Sequence, residues 1–168
     1  TNADDTTYTF DNDMPFAKSI WDWGGTDLLD FSNFTTDLIV NLNEQTSSTI
    51  PTTIPNGVWE MTDNLGISAG TQIENITAGS GDDTIEGNFK NNLITGGAGD
   101  DTLTGGRGND VFDFTVGFGN DVITDFVVGT DKLKIKDSSG NILNKTNLTD
   151  ATSGSDLIIT LGSDEITL

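Results

Sequence analysis

The sequence contains no cysteine and no histidine, and these two absences exclude several kinds of site. A Ser-His-Asp triad, a thiol nucleophile, an HExxH zinc site and a zinc finger each need at least one of them. Disulfides are excluded together with cysteine, so a secreted form of this chain would need another source of stability. Catalysis of these kinds is therefore not expected from this chain.

Positive charge is scarce as well. Seven Lys and Arg residues stand against 27 Asp and Glu, which gives a formal net charge of −20 over 168 residues. This charge would repel nucleic acid and anionic membranes, so neither is expected as a partner. No apolar run approaches the ~18 residues of a membrane span, and residues 1–5 do not resemble a signal peptide. The chain starts without Met, and we expect it to be a piece of a longer protein.

Aspartate and glycine are abundant, and they recur at a regular spacing. The acidic residues include 22 Asp, and there are 20 Gly. Residues 78–113 form four consecutive nine-residue units, with glycines early in most units and Asp or Asn at the sixth position. After a slip of two residues the pattern returns at Gly117-Phe118-Gly119-Asn120-Asp121. Such a period indicates a repeat architecture and argues against a flexible acidic linker.

The spacing predicts how these units stack. A glycine-rich stretch of six residues can turn tightly, because glycine adopts positive φ, and the next three residues read as a short strand. Two units then complete one coil, so equivalent turns recur at every second unit, with Asp83 beside Asp101 and Asn92 beside Asp110. The eighth residue of each unit is expected to point inward, and these residues to form the only core of the coil: Ile85, Ile94, Leu103 and Phe112.

The rest of the chain shows a weaker form of the same pattern. We predict strands at 28–30, 38–42, 132–136, 156–161 and 165–168, a loop at 50–56, and no helix. The fold class expected is all-β, a right-handed parallel β-roll with flanking strands that form a β-sandwich-like cap. Three parts of one structural domain are expected, namely residues 1–77 with degenerate turns, the nonapeptide roll at 78–131, and capping strands at 132–168.

The turns are rich in oxygen donors. Glycine turns aim backbone carbonyls into a concavity, and the sixth-position Asp adds a carboxylate. Such donors suit Ca²⁺, which takes about six to eight oxygen ligands at ~2.3–2.6 Å, more than one turn provides. Pairs of stacked turns are therefore expected to share several Ca²⁺ ions, so that binding free energy becomes folding free energy.

The unit Gly-Gly-x-Gly-x-Asp-x-apolar-x resembles the repeat of the RTX parallel β-roll. A longer match resembles the C-terminal domain of serralysin-type secreted metalloproteases and fades past residue 137. This resemblance implies a calcium-loaded β-roll attached to a separate zinc protease domain. The segments that carry the longer match are Ile20-Trp21-Asp22-Trp23-Gly24-Gly25-Thr26-Asp27, Asp30-Phe31-Ser32, Asn41-Leu42-Asn43-Glu44, Ile73-Glu74-Asn75-Ile76 and Gly79-Ser80-Gly81-Asp82-Asp83.

The resemblance also implies calcium ligands, residue by residue. A first group is Asp22, Gly24, Gly25 and Asp27, with carbonyls at Asn2, Asp4 and Thr6. The remaining implied ligands are Gln72, Glu74, Gly79, Gly81, Asp83, Gly96, Gly97, Gly99, Asp101, Gly105, Gly106, Gly108 and Asp110. The repeat pattern adds Asn92, Gly117, Gly119 and Asp121. The sequence departs from the family at Asn2 and Asp4 and at Asn88, Lys90 and Asn92, so a weaker site is expected between Asn92 and Asp110.

These features predict a non-catalytic calcium-binding module that folds on Ca²⁺ binding and stabilises a secreted parent protein. The expected location is outside a Gram-negative bacterium, after type I secretion. The expected partners are the N-terminal domain of the parent protein and the type I secretion machinery.

The alternative is a carbohydrate-binding or adhesin module on the same roll. Trp21, Trp23 and Trp59 could form an aromatic platform for a polysaccharide, although such residues more often cap the open end of a thin β-core. Adjacent carboxylates such as Asp82 and Asp83 are interpreted as residues of the metal-binding turns and not as a glycosidase pair.

Overall fold

The structure, a computed structural model, describes residues 4–11, 18–50, 52–54, 57–59, 64–143, 149–153 and 156–168. These residues form short strands and no helix, so no helix of the described chain could cross a membrane. The strands are β1 (Thr7–Thr9), β2 (Lys18–Ile20), β3 (Leu28–Asp30), β4 (Ile39–Asn41), β5 (Ser47–Ser48), β6 (Thr52–Ile54), β7 (Gly57–Trp59), β8 (Leu65–Ile67), β9 (Asn75–Thr77), β10 (Thr84–Glu86), β11 (Leu93–Thr95), β12 (Thr102–Thr104), β13 (Val111–Thr115), β14 (Asn120–Ile123), β15 (Lys132–Lys136), β16 (Thr149–Ser153), β17 (Asp156–Leu161) and β18 (Asp164–Thr167).

Two large sheets carry the fold. The first sheet has six strands in the order β1-β3-β9-β11-β13-β15, all parallel. The second has seven strands in the order β16-β17-β18-β14-β12-β10-β4, parallel from β18 to β4 and antiparallel at the C-terminal hairpins. Consecutive strands from β9 to β14 alternate between the two sheets, which confirms the predicted all-β parallel roll.

The strand register confirms that two units complete one coil. Ile85 lies opposite Leu103 in the second sheet, and Ile94 lies opposite Phe112 in the first. The two-residue slip lengthens the next interval, since Leu103 pairs with Ile123 and not with Asp121, where the regular spacing would place its partner. Each nonapeptide therefore forms half of one coil.

The core lies between the two sheets. The four predicted inward residues are fully buried. Their neighbours in β10, β11 and β12 are exposed or half-buried, whereas Asp113, beside Phe112 in β13, is buried as well. The expectation that these four form the only core is wrong, because strands from the flanking segments extend both rows. The same cluster includes Leu29, Val40, Ile76, Ile123, Ile135 and Ile166. A stacked pair, Phe10 and Phe31, with Phe34 at its edge, packs into the core near the N-terminal strands.

The flanking segments add strands to the roll. Both large sheets contain strands from all three predicted parts of the chain, which supports our proposal of one structural domain. The predicted loop at 50–56 is wrong in its middle, where Thr52–Ile54 forms β6 and pairs with β7. Its β-branched residues favour an extended backbone, and residues 51, 55 and 56 of the predicted loop lie outside the described residues.

Candidate metal sites

A row of buried carboxylates runs along the turns that enter the second sheet. The Leu38 N–H donates to Oδ1 of Asp83, the Asp83 N–H to Oδ1 of Asp101, and the Asp101 N–H to Oδ1 of Asp121, each at 2.8 Å. These three aspartates are almost fully buried. The predicted pairing of Asp83 with Asp101 is thus present, and each aspartate uses one oxygen to join its own coil to the preceding one.

A second row follows the turns that enter the first sheet. The Thr6 N–H donates to Oδ1 of Asp27 (2.8 Å), and the Asp27 N–H donates to Oε2 of Glu74 (3.0 Å). Further along the row, the Asn92 N–H donates to Oδ1 of Asp110 (2.8 Å). Glu74 thus takes the place that an aspartate holds elsewhere, and the predicted neighbours Asn92 and Asp110 do lie together.

The turns approach one another too closely for side chains. A Cβ on Gly97 would lie 1.9 Å from the carbonyl oxygen of Gly79, and Gly97 has φ +117°. Four further glycines show the same form of approach, with a carbonyl oxygen of the preceding coil 2.2–2.3 Å from the position of the missing Cβ: Gly99, Gly106, Gly108 and Gly119. Glycine is therefore required at these positions, and carbonyl oxygens line the space between successive turns.

Burial raises the pKa values of the three aspartates in the first row. It raises the pKa of Asp101 to about 8, with the charges of Asp121 and Asp83 adding to the effect. It likewise raises the pKa of Asp121 to about 7 and that of Asp83 to about 6. In the second row, burial also raises the pKa values of Asp27 and Asp110. The charged forms are thus poorly compensated by the protein alone.

Three carboxylate oxygens of the two rows have no hydrogen-bond partner within the described residues. They are Oδ2 of Asp101, Oδ2 of Asp121 and Oδ2 of Asp27, and all three are buried. An unsatisfied buried acceptor costs about 1–3 kcal/mol, and more when it is charged. No three acidic side chains converge on one point in the described part of the chain. The oxygen donors beside each carboxylate are the backbone carbonyls between successive turns. Oxygen donors of this mixed kind fit Ca²⁺.

The N-terminal strands bring together most of the first predicted group of ligands. A Cβ on Gly25 would lie 2.7 Å from the Asp4 carbonyl, which shows that these two backbones touch. Buried Asp22 accepts a 2.6 Å hydrogen bond from Oη of Tyr8, a residue that the sequence did not single out. Desolvation acts to raise the pKa of Asp22, but this bond and backbone N–H groups outweigh it and lower the pKa.

Two asparagine side chains fill the turn of the degenerate unit 87–95. Oδ1 of Asn92 accepts from the Asn88 N–H (2.9 Å), and Nδ2 of Asn92 donates to the Glu74 carbonyl (3.0 Å). Nδ2 of Asn88 donates to the carbonyls of Leu42 and Ile73 at 3.1 and 2.8 Å. Carbonyls that would otherwise face a cation are here satisfied by amide donors.

Several acidic residues outside the predicted set hold the turns by hydrogen bonds. Asp125 accepts from the N–H groups of both Gly105 and Gly106 at 2.8 Å, and Asp131 accepts from the Asp110 N–H at 3.0 Å. Exposed Asp82 accepts from the N–H of Asp100, its equivalent in the next coil, at 2.9 Å. The role of Asp82 could have been predicted from its fixed position in the nine-residue unit. Asp125 and Asp131 lie outside the four regular units, so the sequence contains no comparable signal for them.

Other predicted residues are less informative. Asn2 lies outside the described residues, and Gln72, Gly24 and Gly79 are half-buried. Gly117 has φ +97° but open space where its Cβ would be. The remaining turn positions lie in the rows described above: Thr6, Gly81, Gly96, Gly105 and Gly108.

The predicted capping role of the tryptophans is wrong for two of them. Trp21 and Trp23 are each 61% exposed, and their rings lie 5.8 Å apart with an angle of 50° between the planes. The end of the core near these strands is filled by phenylalanines instead. The side chain of Trp59 lies outside what the structure describes.

The fold and its turns define a class of protein, the parallel β-roll built on nine-residue units with oxygen-lined turns. Residues 1–167 match the family model described as Peptidase M10 serralysin C terminal, and the chain belongs to this family. The resemblance inferred from the sequence is thereby confirmed.

Individual relatives are matched over about half of the chain. Serralysin of Photorhabdus laumondii is 40% identical over 98 residues, which are 51% of this chain and 19% of the relative. Metallopeptidase AprA of Pseudomonas marginalis is 37% identical over 100 residues, 52% of this chain and 19% of the relative. Among solved structures, the extracellular lipase LipA of Serratia marcescens superposes with a TM-score of 0.49 at 15% identity, covering 99% of this chain and 35% of that one. The matched segment thus spans about a fifth of the length of these two curated relatives.

Proposed function

We propose that this chain is a non-catalytic, calcium-dependent folding module of a longer secreted protein. The observation that carries the proposal is the pair of buried oxygens, Oδ2 of Asp101 and Oδ2 of Asp121, that accept no hydrogen bond from the described residues and belong to a row of closely stacked glycine turns. Calcium ions bound there would supply positive charge to this row, and ions at the equivalent turns would do the same for the row of Asp27 and Asp110. The ligands we propose are the turn residues inferred from the family resemblance and the repeat, with the weakest site between Asn92 and Asp110.

The charge of the chain makes folding conditional. With a net charge of −20 and buried aspartates stacked along each row, the carboxylates repel one another when no cation is present. The core is only one side chain deep per strand, so burial alone gives each coil little stability. We therefore propose that the chain remains unfolded at low cytosolic Ca²⁺, passes through a type I secretion channel, and folds outside a Gram-negative cell.

The parent protein is proposed to be a serralysin-like metallopeptidase. Family membership and the names of the relatives support this, and the parent's N-terminal domain would supply the zinc site, which needs histidines that this chain lacks. In this arrangement the roll stabilises the parent after export.

Far-UV circular dichroism tests the proposal directly. Addition of millimolar Ca²⁺ to the chelator-treated chain is expected to convert a coil spectrum into a β spectrum, and chelator is expected to reverse the change. Mg²⁺ at equal ionic strength is the control, because it prefers a smaller octahedral site and retains its water. Identical spectra with Ca²⁺ and with chelator would contradict the proposal.

The exposed tryptophan pair favours carbohydrate binding as a second candidate function. Two large aromatic faces open to solvent are a common way to hold sugar rings, and Trp21 also lines a cleft of about 420 Å³ with Tyr8 and Lys18. Titration of Trp fluorescence with soluble polysaccharides, in Ca²⁺ throughout, tests this. A quench that disappears in Trp21→Ala and Trp23→Ala would support carbohydrate binding. If no glycan changed the fluorescence, calcium-dependent folding would stand as the one proposed function.

A further inference from the structure

The carboxylate row of the second sheet ends beside a residue outside the repeats. The register of β14 against β18 places Asp121 opposite Ile166, so an apolar residue stands where the row would continue. Asp164 lies at the turn before Asp121 instead. The Gly117 N–H donates to its Oδ2 (2.6 Å), and the Glu165 N–H donates to the Gly119 carbonyl (2.7 Å).

Asp164 has the surroundings of an uncompensated buried anion. It is 5% exposed, and the ion pairs of the described chain join Asp113 to Lys134 and Lys136, not to Asp164. Asp121, which is 1% exposed, has its unpartnered Oδ2 at the same end of the row. Two ionised carboxylates buried at one end of the roll would repel each other, and a cation between them would remove this repulsion.

The other acidic residues that hold turns differ from Asp164. Asp125 uses one oxygen for the Gly105 N–H and the other for the Gly106 N–H, so both its oxygens accept a backbone hydrogen bond. Asp131 likewise accepts from two N–H groups, those of Asp110 and Val127. Among the described residues, Asp164 accepts one backbone hydrogen bond, and its Oδ1 is bonded to the hydroxyl of its neighbour Ser163 alone (3.1 Å).

We propose that Asp164 is the closing ligand of a calcium site at the end of the second-sheet row, together with Asp121 and carbonyls of the 117–119 turn. The inference rests on the calcium-dependent function proposed above. The site would attach the hairpin β17–β18 to the roll through an ion, in addition to the backbone hydrogen bonds between β18 and β14. A segment outside the nine-residue repeat would thus complete the last site.

The substitution Asp164→Asn distinguishes a calcium ligand from a residue that only accepts a hydrogen bond from the Gly117 turn. In Asp164→Asn the amide oxygen can still accept from the Gly117 N–H, while the negative charge is lost. Glu165→Gln is the matched control, since it removes the same charge from the next residue of β18, whose side chain points to the other face. Bound Ca²⁺ is counted by elemental analysis of the folded fraction after size exclusion at saturating Ca²⁺, on the full chain.

The expected result is one ion fewer per chain in Asp164→Asn, an unchanged count in Glu165→Gln, and recovery of the ion in Asp164→Glu. Amide hydrogen exchange of β17 and β18 should also lose its dependence on Ca²⁺ in Asp164→Asn only. An unchanged ion count in Asp164→Asn would overturn the assignment of Asp164 and leave the proposed function intact. If the unsubstituted chain bound no Ca²⁺, both proposals would fall.

Discussion

The backbone N–H of Asp83 donates a 2.8 Å hydrogen bond to Oδ1 of Asp101, the equivalent residue of the next coil. The other oxygen of Asp101 is buried and has no hydrogen-bond partner within the described chain. One carboxylate thus links two coils through Oδ1, while Oδ2 is left available for the calcium ion that we propose in this turn.

Substitution of Asp101 by asparagine should separate these roles. Asp101→Asn keeps an acceptor for the Asp83 N–H but removes the charge, so the Ca²⁺ concentration at the folding midpoint should rise at least about tenfold. Circular dichroism at buffered free Ca²⁺ measures the midpoint. In the control Asp100→Asn, an exposed charge is removed, and we expect a change below about threefold because such charges are screened. Equal shifts in the two variants would contradict the role of Asp101.

A methyl group at Gly97 should prevent the turns from stacking. In Gly97→Ala the new Cβ would meet the Gly79 carbonyl oxygen at 1.9 Å, so the chain should fail to fold even at saturating Ca²⁺. Gly140→Ala is the matched control, because Gly140 also has positive φ (+85°) but open space around its Cβ. Its cost should be the backbone strain alone, roughly 1–2 kcal/mol. Thermal unfolding in Ca²⁺ compares them, and similar stabilities would show that the turns do not approach this closely.

Acid should favour the folded chain when Ca²⁺ is removed. The folded-state pKa values of Asp101, Asp121 and Asp83 are raised to about 8, about 7 and about 6, above the unfolded value near 3.8. The folded state therefore binds more protons between pH 4 and 8, and its stability rises as pH falls through this window. Circular dichroism in chelator should show β structure increasing from pH 8 to pH 5. In Ca²⁺ the trend should reverse, because protons compete with the ion, and loss of structure on acidification in chelator would contradict the prediction.

Restoration of the repeat consensus at position 92 should increase the dependence on calcium. Asn92→Asp removes the amide donor to the Glu74 carbonyl and adds a carboxylate near Glu74 and Asp110, so the chain should be less stable in chelator. In Ca²⁺ the same carboxylate should strengthen the site between residue 92 and Asp110. Isothermal titration calorimetry should show tighter or additional Ca²⁺ binding. Binding unchanged from the unsubstituted chain would mean that the turns of residue 92 and Asp110 hold no ion.

The repeat region was predictable because its structure follows from its period. Glycines fix where the chain turns, and a side chain at every ninth position can reach the core only if successive strands alternate between two sheets. The burial of Ile85 and Ile94 and the neighbouring positions of Asp83 and Asp101 follow from that rule. The roles of Trp21 and Trp23 were not predictable in this way, because the core beside them is filled by phenylalanines from other segments.

The sequence by itself determined the all-β roll, the coil of two nine-residue units and the oxygen chemistry of the turns, since each depends on local chain geometry repeated at a fixed spacing. Only the tertiary structure decided which residues complete the rows at their ends. Leu38 joins Asp83 at one end of the second-sheet row, and Gly117 joins Asp164 at the other. Both connections join neighbouring strands of the second sheet, but their residues are 45 and 47 positions apart in the sequence, which does not follow the spacing of the repeat. These partners are therefore set by how the sheets pair.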